Sequence, residues 1–303
     1  MTTYSVYIDG QFVSEFEAGV SVFDHGLLYG DGVYEDLRAY DGRLFRLRDH
    51  IDCLYQSAAA LSLTVPLSKG HLADVVVEAC RVNQLSDAYI RVIVTRGIGD
   101  LNPDPQAGGA PTVIVMARPS AELHRAEQNR RGVRLVTIPS RIIPELHHLN
   151  VRSLNHLAKT LGKIKAHQKG ADECLFLDTR SAFTRGYVSD TTAGSLFLIR
   201  HGALVTPTVN NCLDGIARQT VMEVAAQEGF SVAEEPLLLS DVYSAEEIFV
   251  ADTAVDVVPV VAVDNLPVGE GTPGPITRQL ADAYRRFVRV YGESIHSNQA
   301  LAA

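Results

Sequence analysis

Apolar and polar residues alternate from the first positions of the chain. In YSVYIDGQFVS, Tyr4, Val6 and Ile8 share one face, Asp9-Gly10 supplies turn chemistry and Phe12-Val13 resumes the pattern, so the spacing predicts a β-hairpin. GVYEDLRAYDGRLFRL repeats the arrangement, with strands meeting at Asp41-Gly42. The period then changes. RDHIDCLYQSAAAL places Ile51, Leu54, Tyr55, Ala58 and Leu61 at helical spacing, and SKGHLADVVVEACRVNQL predicts a second helix with Leu72, Val75, Val76 and Ala79 inward. AYIRVIVTRG and PTVIVMARP are β-branched runs separated by the turn-rich GIGDLNPDPQAGGAP, which predicts paired strands joined by a loop.

After Pro119 the chain becomes polar in SAELHRAEQNRRG. Residues 120–131 are therefore expected to link a smaller N-terminal α/β domain, 1–119, to a larger C-terminal domain, 132–303. The second half predicts a strand in VRLVTIPS, a helix from Ser153 to about Gln168, a strand in ECLFLD, a turn-and-strand unit in RGYVSDTTAGSLFLIR and a hairpin tip at RHGAL. A helix in IARQTVMEVAAQEG and one strand through EIFVADTAVDVVPVVAVD follow. The last helix, GPITRQLADAYRRFVRVY, begins at a Gly-Pro start, and GESIHSNQALAA is expected to fray.

Composition narrows the class. A chain of 303 residues, 46% hydrophobic, buries a large core, which excludes a disordered or fibrous protein. A net charge of -9 without a dense Lys/Arg run argues against nucleic acid as partner and leaves a small molecule. No apolar run reaches the ~18 residues of a membrane span, and the N-terminus lacks the basic and apolar regions of a signal peptide, so a cytoplasmic protein is expected. Cys53, Cys80, Cys174 and Cys212 are scattered without CxxC spacing and are expected to be reduced thiols.

Candidate chemistry concentrates where strands end and the chain turns: FDHGLLYGDGVYED, GYVSDTTAGSLF and CLDGIARQTV. In the last of these, Gly215-Ile216-Ala217 precedes a helix, so backbone N–H groups and the positive end of the helix dipole face an incoming phosphate or carboxylate. An ordinary helix start with no ligand has the same local pattern. No GxGxxG, GxxxxGK[ST] or GxSxG occurs, which removes support for dinucleotide binding, a P-loop or a hydrolase elbow. His147-His148 point to opposite faces of any strand and, with His156, lack a carboxylate at ligand spacing, so no metal is expected; His25 sits in a turn where a structural role suffices.

DHGLLYGDGVYE, RLFRLRDHID with LYQSA, YIRVIVTRG, RSLNHL, KGADECLFLD, GYVSDTTAGSLF, LDGIARQTV, FVADTAVDVVPVVAVD and GPITRQL together span nearly the whole chain. In this order and spacing the sequence resembles the fold type IV pyridoxal-phosphate enzymes, the class IV aminotransferases that include branched-chain and D-amino acid aminotransferases and aminodeoxychorismate lyase. The resemblance implies a two-domain α/β (α+β) fold of D-amino acid aminotransferase-like architecture, pyridoxal phosphate as cofactor, and a homodimer in which Tyr29 and the 25–34 loop reach the neighbouring subunit.

Several positions depart from what the resemblance implies. The Schiff-base lysine stands immediately before Ser-Leu-Asn in the family, and here that position is Arg152. Such a lysine works as a deprotonated amine, whereas a guanidinium stays charged, its pKa above ~12. The arginine that would grip the cofactor phosphate is Cys53. The glutamate facing the pyridine nitrogen is Asp190, followed by Thr191 in place of glycine, and the threonine of the phosphate turn is Ala217 beside Gly215 and Ile216. In the carboxylate-binding turn Asp252 replaces glycine while Thr253 and Ala254 remain, and Tyr34 and Arg91 complete the implied substrate space.

The expectation from these departures is an aminotransferase-family protein that has lost conventional Schiff-base transamination, with weakened cofactor binding and no covalent attachment. With several arginines implied around one cavity, its pocket would take an anionic amino- or keto-acid-like metabolite. Arg152 equally suits a salt bridge to Asp190. Two alternatives stay open: an active pyridoxal-phosphate aminotransferase or lyase using Lys159, seven residues on and placed two helical turns away by the predicted helix, or a non-catalytic subunit paired with an active paralogue.

Overall fold

The computed structural model describes residues 3–120, 122–140, 151–178, 186–210 and 212–296. The chain forms two compact units. The first is built on the chain up to Ser120 and takes in Val151–Asn155 and the chain from Val288 on. The second holds the intervening segments.

The first unit contains β1 (Ser5–Ile8), β2 (Gln11–Ser14), α1 (His25–Tyr29), β3 (Gly32–Tyr40), β4 (Arg43–Leu44), α2 (Leu47–Ala60), α3 (Lys69–Val82), β5 (Ala88–Thr95) and β6 (Val113–Pro119). Both expected turns close as proposed from sequence: β1 and β2 pair Ile8 with Gln11 across Asp9-Gly10, and β3 and β4 pair Tyr40 with Arg43 across Asp41-Gly42. All four turn residues have positive φ, which Gly adopts at no steric cost and Asp tolerates. Val33, Leu37 and Ala39 of β3 pack with Ile51, Leu54 and Ala58 of α2 and with Leu72, Val76 and Ala79 of α3 in one core. A fully buried leucine in this core contributes about 1.5–3 kcal/mol of transfer free energy. The expected pairing of the 88–95 and 113–119 runs is antiparallel β5–β6.

The second unit comprises α4 (Glu122–Arg131), β7 (Val133–Ser140), α5 (Leu157–Gln168), β8 (Glu173–Asp178), β9 (Tyr187–Thr191), β10 (Ser195–Arg200), β11 (Ala203–Pro207), α6 (Ile216–Gln227), β12 (Val232–Glu235), α7 (Leu239–Tyr243), β13 (Glu247–Asp252), β14 (Asp256–Val263) and β15 (Leu266–Pro267). α8 (Pro275–Val290) starts at the expected Gly-Pro and leads into β16 (Glu293–Ser294) in the first unit. The sheet of the first unit runs β16-β4-β3-β5-β6-β1-β2, and that of the second runs β12-β11-β10-β13-β14-β7-β8-β9 with β15 on β14.

Four local expectations change. The polar stretch read as a linker carries α4. The helix expected from Ser153 starts at Leu157, because Val151–Asn155 lies extended along β3, with a Val33–Ser153 bridge and Leu154 N–H donating to Gly32 O at 3.0 Å. The long strand expected from 247 onward is the hairpin β13–β14: Asp252 accepts from Ala254 N–H at 2.8 Å and Asp256 adopts φ 60°, which together turn the chain. Part of the expected frayed tail is ordered, since β16 pairs with β4. The adjacent histidines 147 and 148 lie outside the described residues. No described helix is long and apolar enough to cross a membrane, and no cluster of metal-ligating side chains occurs among the described residues.

Candidate functional site

Each unit contains some of the residues singled out from sequence. In the first, backbone hydrogen bonds fix Arg152: its N–H donates to Ser57 Oγ at 3.2 Å and its carbonyl accepts from Tyr34 N–H at 2.9 Å. Its Nε lies 3.1 Å from Glu35 Oε2, and the other Glu35 oxygen lies 2.8 Å from His50 Nδ1. Glu35 and His50 are both 1% exposed and Arg152 16%, so one desolvated carboxylate is held between two basic side chains. Cys53 belongs to the same surroundings. His50, Cys53 and Ser57 are spaced i, i+3, i+7 on α2, which lines them up on one face of the helix, and both flanking residues contact the Glu35–Arg152 pair.

Arg91 occupies different ground. Strand alternation puts Tyr34 and Asp36 on the face of β3 opposite Glu35. Arg91 Nε and Nη2 donate to Asp36 Oδ1 and Oδ2 at 2.6 and 2.7 Å, Nη2 also reaches Tyr89 Oη at 3.1 Å, and the guanidinium stacks 5.0 Å from the Tyr34 ring centroid. The hydrogen bonds to Asp36 push the Arg91 pKa further up. The two arginines thus have their carboxylate partners on opposite faces of one strand. Sequence reasoning missed those partners, Glu35 and Asp36. The signal was present as an adjacent acidic pair in a strand whose only other charged residue is Arg38.

In the second unit, Asp190 is only 7% exposed on β9 and its Oδ2 accepts from Leu213 N–H at 2.8 Å, which ties it to the turn before α6. Gly215 is the residue preceding α6 and no side chain caps the helix, nor does an acidic residue stand in its first turn. Gly215, Ile216 and Ala217 are buried there. Arg218, 2% exposed, anchors this start by donating to Pro207 O at 2.9 Å and Glu234 Oε2 at 2.7 Å. Thr191 closes the neighbouring turn through Gly194 O at 2.7 Å, and Gly194 is forced by close approach, since a Cβ there would sit 2.3 Å from Ala251 O. The 251–254 turn, with Asp252, Thr253 and Ala254, therefore lies beside the 191–194 turn. Lys159 is on α5 in this unit, not on a helix with Arg152; Lys163 on the same helix is ion-paired to Glu173.

None of the four cysteines is in a disulfide. Burial pushes the thiols of Cys80 and Cys174 up to about 12 and that of Cys212 higher still, so these three are inert as nucleophiles at neutral pH.

This arrangement has known counterparts. Residues 32–263 match the family model described as amino-transferase class IV. The chain belongs to the class IV aminotransferases. It is 43% identical to a putative branched-chain-amino-acid aminotransferase of Methanocaldococcus jannaschii, over 96% of this chain and 99% of that one, and 31% identical to the D-alanine aminotransferase of Listeria monocytogenes, over 96% and 98%. A solved branched-chain aminotransferase from the thermophilic archaeon Thermoproteus uzoniensis, with norvaline, superposes with a TM-score of 0.86 at 30% identity, covering 95% of each chain. The fold is thus that of fold type IV enzymes.

Chemically, the residues present divide into two sets. The uncapped α6 start and the buried Asp190 carboxylate suit a phosphate and a protonated ring nitrogen. The Arg152 guanidinium does not suit covalent attachment of an aldehyde, because its charge is delocalised and held against Glu35.

Proposed function

We propose that this class IV aminotransferase-family chain binds an anionic amino- or keto-acid-like metabolite and has left conventional Schiff-base transamination behind. The observation that carries this reading is the Arg152–Glu35 contact at the position the resemblance assigns to the lysine. A transaminase lysine must shed its proton to attack a carbonyl, and must then move a proton at the substrate carbon. Arg152 is paired through Nε to a carboxylate that is 1% exposed, and a guanidinium stays cationic by its own chemistry. A fixed guanidinium binds and orients a carboxylate or phosphate, and it does not act as a base.

Pyridoxal phosphate, where a protein holds it covalently, supplies an electron sink for the substrate carbanion. In this chain the fit is limited to non-covalent contacts: α6 would receive the phosphate and Asp190 the ring nitrogen, while Cys53 adds no cation. The test is incubation with pyridoxal phosphate followed by borohydride, with intact-mass and peptide-mass spectrometry. No adduct, or substoichiometric labelling spread over surface lysines, is expected. One stoichiometric adduct on a single residue, Lys159 above all, would restore the transaminase reading.

A further inference from the structure

Two adjoining cavities lie beside α3, and every residue in their walls belongs to the first unit. Tyr7, Gly10 and His71 line both, so they meet where the β1–β2 turn approaches the start of α3. The smaller, about 530 Å³, is walled mainly by apolar groups: Pro66, Leu67, Ile98, Pro111 and Val113. The larger, about 660 Å³, is polar, with Arg48, Asp74, Glu78, Arg81 and Glu293 in its wall. Cavities of roughly 300–1,000 Å³ accept small organic molecules. None of the residues assigned above to the candidate functional site lines either of them.

Tyr7 is the group that points to a ligand. Its side chain is 4% exposed and packs in the core with α2 and α3, yet its hydroxyl has no hydrogen-bond partner among the described residues. A phenol at that depth ordinarily has one. The hydroxyl is not one of the sealed polar atoms of the described core, so it opens into the cavities that Tyr7 lines.

The charges around it select the ligand. The polar cavity sets three carboxylates against two guanidiniums, and both guanidiniums are engaged. Arg48 donates from Nε and Nη2 to Glu293 at 3.0 and 3.3 Å, while Arg81 donates to Ile295 O and lies 3.6 Å from Glu78. Asp74 has no ion-pair or hydrogen-bond partner among the described residues, so its charge is left uncompensated. The carboxylate in the wall of the apolar cavity, Asp9, adds negative charge. The rings of Tyr7 and Phe12, edge to face with centroids 5.4 Å apart, contribute aromatic surface that favours a cation.

We propose that these cavities form a second small-molecule site, for an amphipathic organic ammonium. Its apolar body lies against Pro66, Leu67 and Pro111, and its N–H donates to Tyr7 Oη with the charge facing Asp74. An anion of the same size would meet uncompensated carboxylates with each guanidinium already paired, and a neutral molecule would leave Asp74 without a partner.

Isothermal titration calorimetry on the full chain tests this with N,N-dimethyl-2-phenylethylamine, a tertiary amine that is cationic at neutral pH and cannot form an imine. Saturable one-to-one binding is expected, with the neutral probe 2-phenylethanol and the anionic probe 3-phenylpropionate each at least ~10-fold weaker. Tyr7→Phe removes one hydroxyl, and Asp74→Asn removes one charge from an exposed position of α3. Each is expected to weaken the amine by ~10-fold, with circular dichroism melts establishing that the variant is folded. Should Tyr7→Phe misfold, Asp74→Asn and the comparison of the three probes still decide. No saturable binding of the amine, binding of the alcohol or the acid as tight as that of the amine, or wild-type affinity in both variants would each overturn the proposal.

Discussion

Arg152 and Glu35 meet at the edge of β3, Nε 3.1 Å from Oε2, with the carboxylate buried to 1% exposure. Glu35 is desolvated, and the side chains of Arg152 and His50 stand at its two oxygens. Arg152→Met removes one of them and is expected to cost about 3 kcal/mol, the usual penalty for deleting one partner of a buried ion pair. Arg152→Lys keeps a cation in reach and is expected to cost less. Urea denaturation of the two variants checks the order; equal stability of Met and wild type would mean that the pair contributes nothing.

Cys53 lies between His50 and Ser57 on the α2 face that serves this pair, so the lysine and phosphate-arginine departures fall in one neighbourhood. Restoring a lysine by Arg152→Lys is therefore expected to give little covalent capture of pyridoxal phosphate. Adding Cys53→Arg is expected to tighten capture by ~10–100-fold, the equivalent of the ~1.5–3 kcal/mol of a charged hydrogen bond. Borohydride trapping over a range of cofactor concentrations measures it. Identical titrations for the single and double variants would show that position 53 is irrelevant.

Much of this was legible in sequence. The turns at Asp9-Gly10 and Asp41-Gly42, the α2 and α3 core faces and the β5–β6 pair follow from local periodicity and turn chemistry, which the tertiary structure did not override. What was not legible depends on distant partners. Ser153–Asn155 are expected from sequence to open a helix, yet hydrogen bonds that tie Arg152 and Leu154 to Tyr34 and Gly32 hold this segment along β3. Asp252 and Asp256 divide one β-branched run into a hairpin through a side-chain cap and one positive φ. The partners of the two site arginines alternate along a single strand, so a list of charged residues could not say which face each would serve.

Acid and base should destabilise the fold through identifiable groups in the second unit. Burial raises Asp264, but hydrogen bonds from Thr137 and Tyr243 outweigh it and leave the carboxyl below its usual value; Asp172 behaves likewise, with Arg131 and the Arg134 N–H outweighing burial. A depressed folded pKa means that the unfolded chain binds more protons in the window below about 4, so this stability is present at neutral pH and lost as pH falls through the folded values. Tyr243 is pushed up to about 12, first by burial and then by its hydrogen bond to Asp264. Its contribution is complete below about 10 and disappears as pH rises toward 12. Asp264→Asn is expected to flatten both limbs of a stability–pH curve followed by urea midpoint, and a curve unchanged on either side would remove the assignment.

Arg218 sits where stability and anion binding meet. It follows Ala217 at the start of α6, is 2% exposed, and its Nη2 joins Pro207 O at the end of β11 to Glu234 on β12. Its fork therefore fixes the direction in which the uncapped N–H groups of Ile216 and Ala217 point, without the side chain itself being needed as an anion ligand. Replacing it by methionine is expected to cost less than the ~3–5 kcal/mol of a fully buried pair, since Glu234 is 39% exposed and stays solvated once its partner is gone. Lysine places its charge on a flexible stem without the rigid plane of a guanidinium, so Arg218→Lys should recover only part of the loss. The distinguishing measurement is thermal denaturation with and without millimolar inorganic phosphate. A positioning role predicts that Arg218→Lys remains folded at low temperature but gains less stabilisation from phosphate than wild type does, whereas an equal gain in both proteins would reduce Arg218 to a packing residue.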